Sequence, residues 1–319
     1  ATIVDRSNHP LFQPLLYQVA TAALSAPDVA EPIRKILGRH ESIQVLFGCV
    51  SRLDPEEKFL TLDDGSALPY DILVLATGSR PSYFGHEDWR EVAPGLKIVD
   101  DALSIRSRLL LSFEQAERAR DPEEQRRLMT FAVIGGGPTG VELAGSIAEL
   151  ARHTLVRDFR NIRPEHTRIL LAEAGQRLLP AFSPELSDYA KRRLERLGVT
   201  VMLGKPVEAI TPATVKLGGQ EIPVGLTIWA AGAGASPLAA MLGVETDRGG
   251  RVRVDSRLQV VGRPDVFALG DVALFEDAEG RPLPGLAQVA RQQGIHLGRA
   301  LAHSVTKGGD LPEITYRSR

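Results

Sequence analysis

The 319-residue chain contains a single cysteine, Cys49, so neither an intrachain disulfide nor a cysteine-pair redox centre can form. Cys49 itself reads as a buried, inert thiol. Aromatic residues make up only 5% of the chain and the net charge is −2. That leaves no base-stacking surface and no electrostatic case for nucleic acid as a partner. The histidines at 9, 40, 86, 153, 166, 296 and 303 show no metal-ligand spacing, so no metal site is expected. Neither a G-x-S-x-G elbow nor a GxxxxGK[ST] phosphate loop occurs. One uncharged stretch, Ile222 to Val244, is long enough to cross a bilayer, but Gly232, Gly234 and Pro237 interrupt it. A strand, a tight turn and a short helix fit that stretch better.

What is present suits a globular α/β protein. The chain is 43% hydrophobic and 24% charged, and its length suggests about two domains. Short apolar segments, most followed by glycine, read as strands at 72–75, 131–134, 169–172, 199–203, 227–230 and 266–269. Val141, Ala144, Ile147, Ala148 and Ala151 form an apolar stripe at helical spacing. A second helix starts after Ser183, an N-cap followed by Pro184, and stops near Gly198. This succession implies a βαβ unit with a parallel sheet. The run RARDPEEQRR at 118–127 reads as a solvated connection, since mixed charge with few apolar residues marks wet surface. LVLATGSRP (73–81) and IWAAGAGASP (228–237) echo one another, each a strand closing in a small-small-Gly turn.

The strongest local signal is FAVIGGGPTGVELAGSIAEL, residues 131–150. Gly135-x-Gly137-x-x-Gly140 follows a strand and opens a helix, the context a dinucleotide fingerprint requires. Gly135 allows the tight turn, Gly137 lets backbone approach a pyrophosphate, and Gly140 lets helix and strand pack closely. The next strand, ILLAE, ends at Glu173. Its carboxylate can accept hydrogen bonds from both ribose hydroxyls and would repel a 2′-phosphate, so NADH is favoured over NADPH. The interval from Gly140 is longer than usual, filled by a helix extension and a loop at Arg163-Pro164, and Glu173 could instead simply end a strand at the surface.

Two further acids stand at strand ends. The opening residues ATIVD read as the tail of a buried strand closing on Asp5. In a dinucleotide-binding fold, an acid there holds a ribose hydroxyl about 20 residues after a glycine loop, and no such loop precedes it here. DVFALGDVA (265–273) places Asp271 after Gly270, at the carboxyl edge of a sheet where α/β ligands bind. In the helix expected after it, Ala287, Ala290, Gly294 and Leu297 would line one side and Gln288, Arg291 and Gln292 another. On chemistry alone the glutamines are ordinary solvated residues.

In order along the chain, NHPLFQPLLYQVATAALS (8–25), DILVLATGSRP (71–81), VIGGGPTGVELAGSIAEL (133–150), TIWAAGAGASPL (227–238), VFALGDVA (266–273) and LAQVARQQG (286–294) resemble the type II NADH dehydrogenases. These are single-subunit, FAD-dependent NADH:quinone oxidoreductases within the two-dinucleotide-binding-domain flavoproteins. The resemblance implies two Rossmann-like domains, with a discontinuous FAD domain at 1–110 and 244–308, an NADH domain at 111–243, and the start of a C-terminal region at 309–319. It further implies that residue 1 falls after the family's first strand and FAD glycine loop, and that the chain stops before a membrane-anchoring C-terminal region.

Position by position, the resemblance assigns Asp5, with Arg6 beside it, to the FAD adenosine ribose and Val50 to the adenine. Thr77, Gly78, Gly232, Gly270 and Asp271 fall near the cofactors, Asp271 on the ribityl chain. Ala287, Gln288 and Val289 would face the flavin ring. Gly135, Gly137, Pro138, Thr139, Gly140 and Glu173 would hold NADH, with Glu142 near the nicotinamide. Gln288, Arg291 and Gln292 would border the quinone. Glu142, Gln288 and Arg291 are thus the candidate catalytic residues. The implied partners are NADH, quinone and a membrane surface, with a possible homodimer. The implied place is the cytoplasmic face of the inner membrane of a bacterium-like cell, the chain itself being soluble. Two alternatives stay open: a related NADH-dependent flavoprotein reductase with a soluble acceptor, and a redox-silent NADH-binding module.

Overall fold

A computed structural model describes residues 1–309, 311–314 and 316. The elements that carry its architecture are, in chain order, strands β1 (Thr2–Asp5), β2 (Gln44–Phe47) and β3 (Leu73–Leu75) and helix α1 (Val99–Arg118). There follow α2 (Pro122–Leu128), β4 (Thr130–Ile134), α3 (Pro138–Glu149), β5 (Arg168–Glu173), α4 (Pro184–Arg196) and β6 (Val199–Leu203). The last are β7 (Leu226–Trp229), β8 (Arg263–Ala268) and α5 (Ala287–Lys307). The chain forms two compact units, one of residues 1–8, 37–80 and 233–319, the other of 9–36 and 81–232. Residues 9–36 and 81–110, which the resemblance grouped with the first domain, belong to the second unit.

The second unit is built on a four-stranded sheet in the order β6-β5-β4-β7, with every pair parallel. A parallel sheet covered on both faces needs continuous apolar strands, and TFAVI of β4 is buried at all five positions. Its residues divide by twos. Phe131 and Val133 join Ile105, Leu109, Phe113, Leu143 and Ile147 on the helical face. Ala132 and Ile134 join Tyr83, Trp89, Val215 and Trp229 on the other, beside an antiparallel sheet of Val207–Ile210, Thr214–Leu217 and Gln220–Pro223.

The first unit holds three parallel pairs among the described residues, β1 with β2, β3 with β8 and Val252–Arg253 with Ala273–Leu274, and an antiparallel sheet of Val50–Asp54, Phe59–Leu62 and Ala67–Pro69. Its core joins Leu73, Leu75, Val266, Phe267 and Ala268 with Leu297 of α5.

Several expectations need correction. The segment 118–127 is largely not a loop: α2 starts at Pro122, capped by Asp121, whose Oδ1 accepts the Glu123 N–H at 3.1 Å. Ion pairs Glu123–Arg126 and Glu124–Arg127 at i,i+3 support it. Its charges are a wet helix face, and the Asp-Pro start signal was legible. The opening strand is half-buried rather than buried, with Thr2 exposed. Beyond α3 the extension does not continue as α-helix. A wider π turn covers Leu150–Thr154, followed by short 3-10 turns at Leu155–Arg157 and Pro164–His166. On α5 the buried stripe is Val289, Gln293, Leu297 and Ala300, not the stripe through Ala287 and Gly294. Leu297 belongs to the buried stripe, while Ala287 is exposed and Ala290 and Gly294 are half-buried.

Candidate functional site

In the second unit, β4 feeds the glycine loop and α3 leaves it. Gly135 has a φ of +115°, open to glycine and resisted by other residues. A Cβ there would also lie 2.6 Å from the Ala230 carbonyl. Gly140 sits in the first turn of α3, where a Cβ would lie 1.8 Å from the Gly135 carbonyl oxygen. Helix and loop therefore touch backbone to backbone. Gly137, the N-cap of α3, has nothing within 4 Å of a built Cβ. Pro138 and Thr139 occupy the first two helical positions, so the amide end of α3 faces that open side, the geometry that takes a phosphate.

Glu173 ends β5 beside this loop. Its Oε2 accepts the Gly136 N–H and its Oε1 the Gly175 N–H, both at 2.6 Å. The carboxylate braces the loop from below and keeps lone pairs for hydroxyl donors. The sequence placed it near the site; its bracing of the loop was not visible there. Glu142 lies in the second turn of α3 and is exposed. Even so, surrounding protein removes enough water to push its carboxyl above the ordinary glutamate range. Gly232, exposed and left-handed at φ +78°, follows β7 just as Gly78, at φ +63°, follows β3. In both echoing segments the glycine stands three residues past the strand end.

In the first unit the acids again cluster at carboxyl ends of parallel strands. Asp5 ends β1, its Oδ1 accepting the Ser7 N–H at 2.8 Å, with Arg6 exposed beside it. Val50 opens the strand after β2, half-buried, and Thr77 is exposed after β3. Asp271 follows β8, where its Oδ2 accepts the Ser79 hydroxyl at 2.7 Å. Gly285 approaches so closely that a Cβ would meet Asp271 Oδ1 at 3.0 Å. The Ala287, Gln288 and Val289 positions open α5, and Gln288 and Arg291 are exposed while Gln292 is half-buried.

Gln293 was missed. It is 2% exposed, and its Oε1 accepts the N–H of Gly270 at 2.8 Å, tying α5 to the turn that presents Asp271. A glutamine at i+4 from Val289 and i−4 from Leu297 was the available signal. Cys49 corrects the other way: it is exposed, because it lies with Gly48 in the turn between β2 and the strand Val50–Asp54.

A model of the pyridine nucleotide-disulphide oxidoreductase family matches residues 1–294. The chain is 41% identical to the type II NADH:quinone oxidoreductase NdhA of Mycobacterium tuberculosis, over 98% of this chain and 68% of that protein. It is 43% identical to the type II NADH:quinone oxidoreductase Ndh of the same organism, over 91% of this chain and 64% of that one. The chain thus spans less than two thirds of the second relative. In fold it is similar to NDH2 from Plasmodium falciparum solved with NADH, with a TM-score of 0.89, 21% identity, and coverage of 100% and 82% of the two chains. At that identity the likeness speaks for the fold alone.

Proposed function

The chain belongs to the pyridine nucleotide-disulphide oxidoreductase family, alongside type II NADH:quinone oxidoreductases, and from that membership we propose that it is an FAD-dependent NADH:quinone oxidoreductase. What carries the reading is that each unit presents an acid at the carboxyl end of a parallel strand next to glycine: Glu173 in one, Asp271 in the other. One such edge suits one dinucleotide. Two suit a chain that works with two.

The first unit's residues fit a flavin dinucleotide. Asp271 is held by Ser79 and crowded by no side chain at Gly285, while a Cβ on Gly78 would meet nothing within 4 Å. Asp271 would take ribityl hydroxyls, Asp5 the adenosine ribose, and Thr77-Gly78 the cofactor's flank. The first amides of α5 lack carbonyls within the helix, and with the positive dipole end they favour negative charge on an adjacent ring. Bound flavin supplies the redox chemistry, accepting hydride from NADH and giving two electrons to quinone.

The residues of this chain do the rest. The amide end of α3 and Gly137 hold the NADH pyrophosphate; Glu173 holds the adenosine ribose and repels a 2′-phosphate. Glu142, near the nicotinamide, stabilises when ionised the positive ring left as hydride departs, and its raised carboxyl ties that help to pH. Gln288, Arg291 and Gln292 border the quinone. Attachment to the cytoplasmic face of the inner membrane, through a C-terminal region beyond these residues, and pairing as a homodimer belong to the same proposal. Both are supported by the resemblance. Among the described residues, no helix is long and apolar enough to cross a membrane.

The test is the visible spectrum of the purified chain with FAD, followed anaerobically on adding NADH and then a short-chain quinone. The reading expects a bound-flavin spectrum that NADH bleaches and quinone restores. Absence of bound flavin refutes the assignment for this chain. Restoration by a soluble iron–sulfur protein but not by quinone would favour a flavoprotein reductase of another kind.

A further inference from the structure

One aromatic residue of the second unit stands in a conformation its own chemistry resists. Phe84 has a φ of +53°, a left-handed backbone strained for a bulky residue and found mostly where function holds it. Phe84 is 68% exposed, so burial does not account for the strain. The turn after β7 holds it in place. Ser82 N–H donates to Gly232 O at 3.3 Å, and Trp229 Nε1–H donates to Ser82 O at 2.9 Å. The Phe84 and Trp229 rings meet edge-on with centroids 6.2 Å apart. A Cβ on Gly232 would lie 2.5 Å from Phe84 Cζ. The ring therefore lies over the Gly232 backbone and stands out past it into solvent.

Sheet order says which part of a dinucleotide meets this ring. The order is β6-β5-β4-β7. With the adenosine ribose at Glu173, which ends β5, and the pyrophosphate at the loop after β4, the molecule runs along the carboxyl edge toward β7. Its nicotinamide half then lies over Trp229–Gly232, beside Phe84. We propose that Phe84 is a positioning residue for the nicotinamide half of NADH, its ring packing against the nicotinamide ring where the chain leaves β7. This rests on reading Gly135–Gly140 and Glu173 as the NADH site. The strain has a use on this account: it points an aromatic face at a flat ring where a relaxed backbone would turn it away.

The experiment titrates the 319-residue chain and its Phe84→Gly and Phe84→Tyr variants with NADH and with ADP-ribose, which lacks only the nicotinamide, and records each melting temperature. In Phe84→Gly the affinity for NADH should fall about tenfold while that for ADP-ribose stays within about twofold. Its melting temperature should hold or rise, because glycine accepts the left-handed backbone. Phe84→Tyr should restore NADH affinity. A ring that only supports the fold would lower melting temperature and weaken both ligands together; that result, or unchanged NADH affinity, overturns the proposal. If the parent chain binds ADP-ribose but the variants show no selective loss, the Phe84 assignment fails alone. If it binds neither ligand, the NADH site falls and this proposal with it.

Discussion

Two alanine substitutions three residues apart should separate fold from binding in the glycine loop. In Gly140→Ala the new Cβ starts 1.8 Å from the Gly135 carbonyl oxygen. Reaching ordinary contact means opening helix from loop by roughly 1.5 Å. The obstacle is backbone, so no side chain can swing aside. α3 packs through Leu143, Ala144, Ile147 and Ala148, each 0% exposed, and displacing it disturbs that whole face. Overpacking costs about 1–3 kcal/mol, here toward the upper end, which lowers the melting temperature by roughly 6–12 °C for a unit of this size. Gly137→Ala meets nothing within 4 Å, at φ −76° and ψ −177°, which alanine adopts freely. The lost N-cap preference, up to about 1 kcal/mol, is offset by about 0.4–1 kcal/mol of reduced unfolded-chain entropy. Its melting temperature should move by less than about 2 °C. The methyl does occupy the side from which a pyrophosphate reaches the amides. Losing one charge-assisted hydrogen bond of about 1.5–3 kcal/mol weakens NADH roughly 10- to 150-fold. Calorimetric melting and NADH titration of both variants are the assay. Unchanged melting of Gly140→Ala would refute the backbone contact, and unchanged NADH affinity of Gly137→Ala would remove the pyrophosphate from the loop.

Glu173→Gln sets an amide NH₂ against one of the two N–H groups its carboxylate now accepts, at a cost of about 1–3 kcal/mol. It should melt lower, bind NADH more weakly and discriminate less against NADPH; an unchanged NADH-to-NADPH ratio would refute its ribose role. Glu142→Gln should alter pH dependence. Because desolvation by surrounding protein raises the Glu142 carboxyl in the folded chain, the native state binds more protons than the unfolded one just above the ordinary glutamate range. Stability therefore falls as pH rises through that window. The variant should lose that slope in melting temperature, and flavin reduction by NADH should lose its rise with pH. Parallel pH profiles for both proteins would refute the coupling.

Local chemistry made much of this protein legible in advance. The strands at 131–134 and 169–172 and the helix after Ser183 lie where apolar runs, glycines and the Ser-Pro start placed them, to within a residue or two. The fingerprint was legible because Gly140 answers to the Gly135 carbonyl five residues away and Gly135 to its own positive φ; the approach of Gly135 to Ala230 was not legible there. Asp121-Pro122 carried a helix signal too, outweighed in the reading by charge. Long-range contacts decided the rest, since they join residues whose types do not announce a partner. Gln293 is buried only because Gly270 offers it an N–H, 23 residues away. Glu173 braces the loop across 37 residues. Phe84 is held out to solvent by a turn nearly 150 residues further along the chain, whose Trp229 donates to Ser82. The kind of chemistry was set by the sequence itself, because glycines and acids at strand ends admit few uses. Which side chains are locked for that chemistry was decided only in the folded chain, because a hydrogen bond or a close contact exists only once distant segments meet.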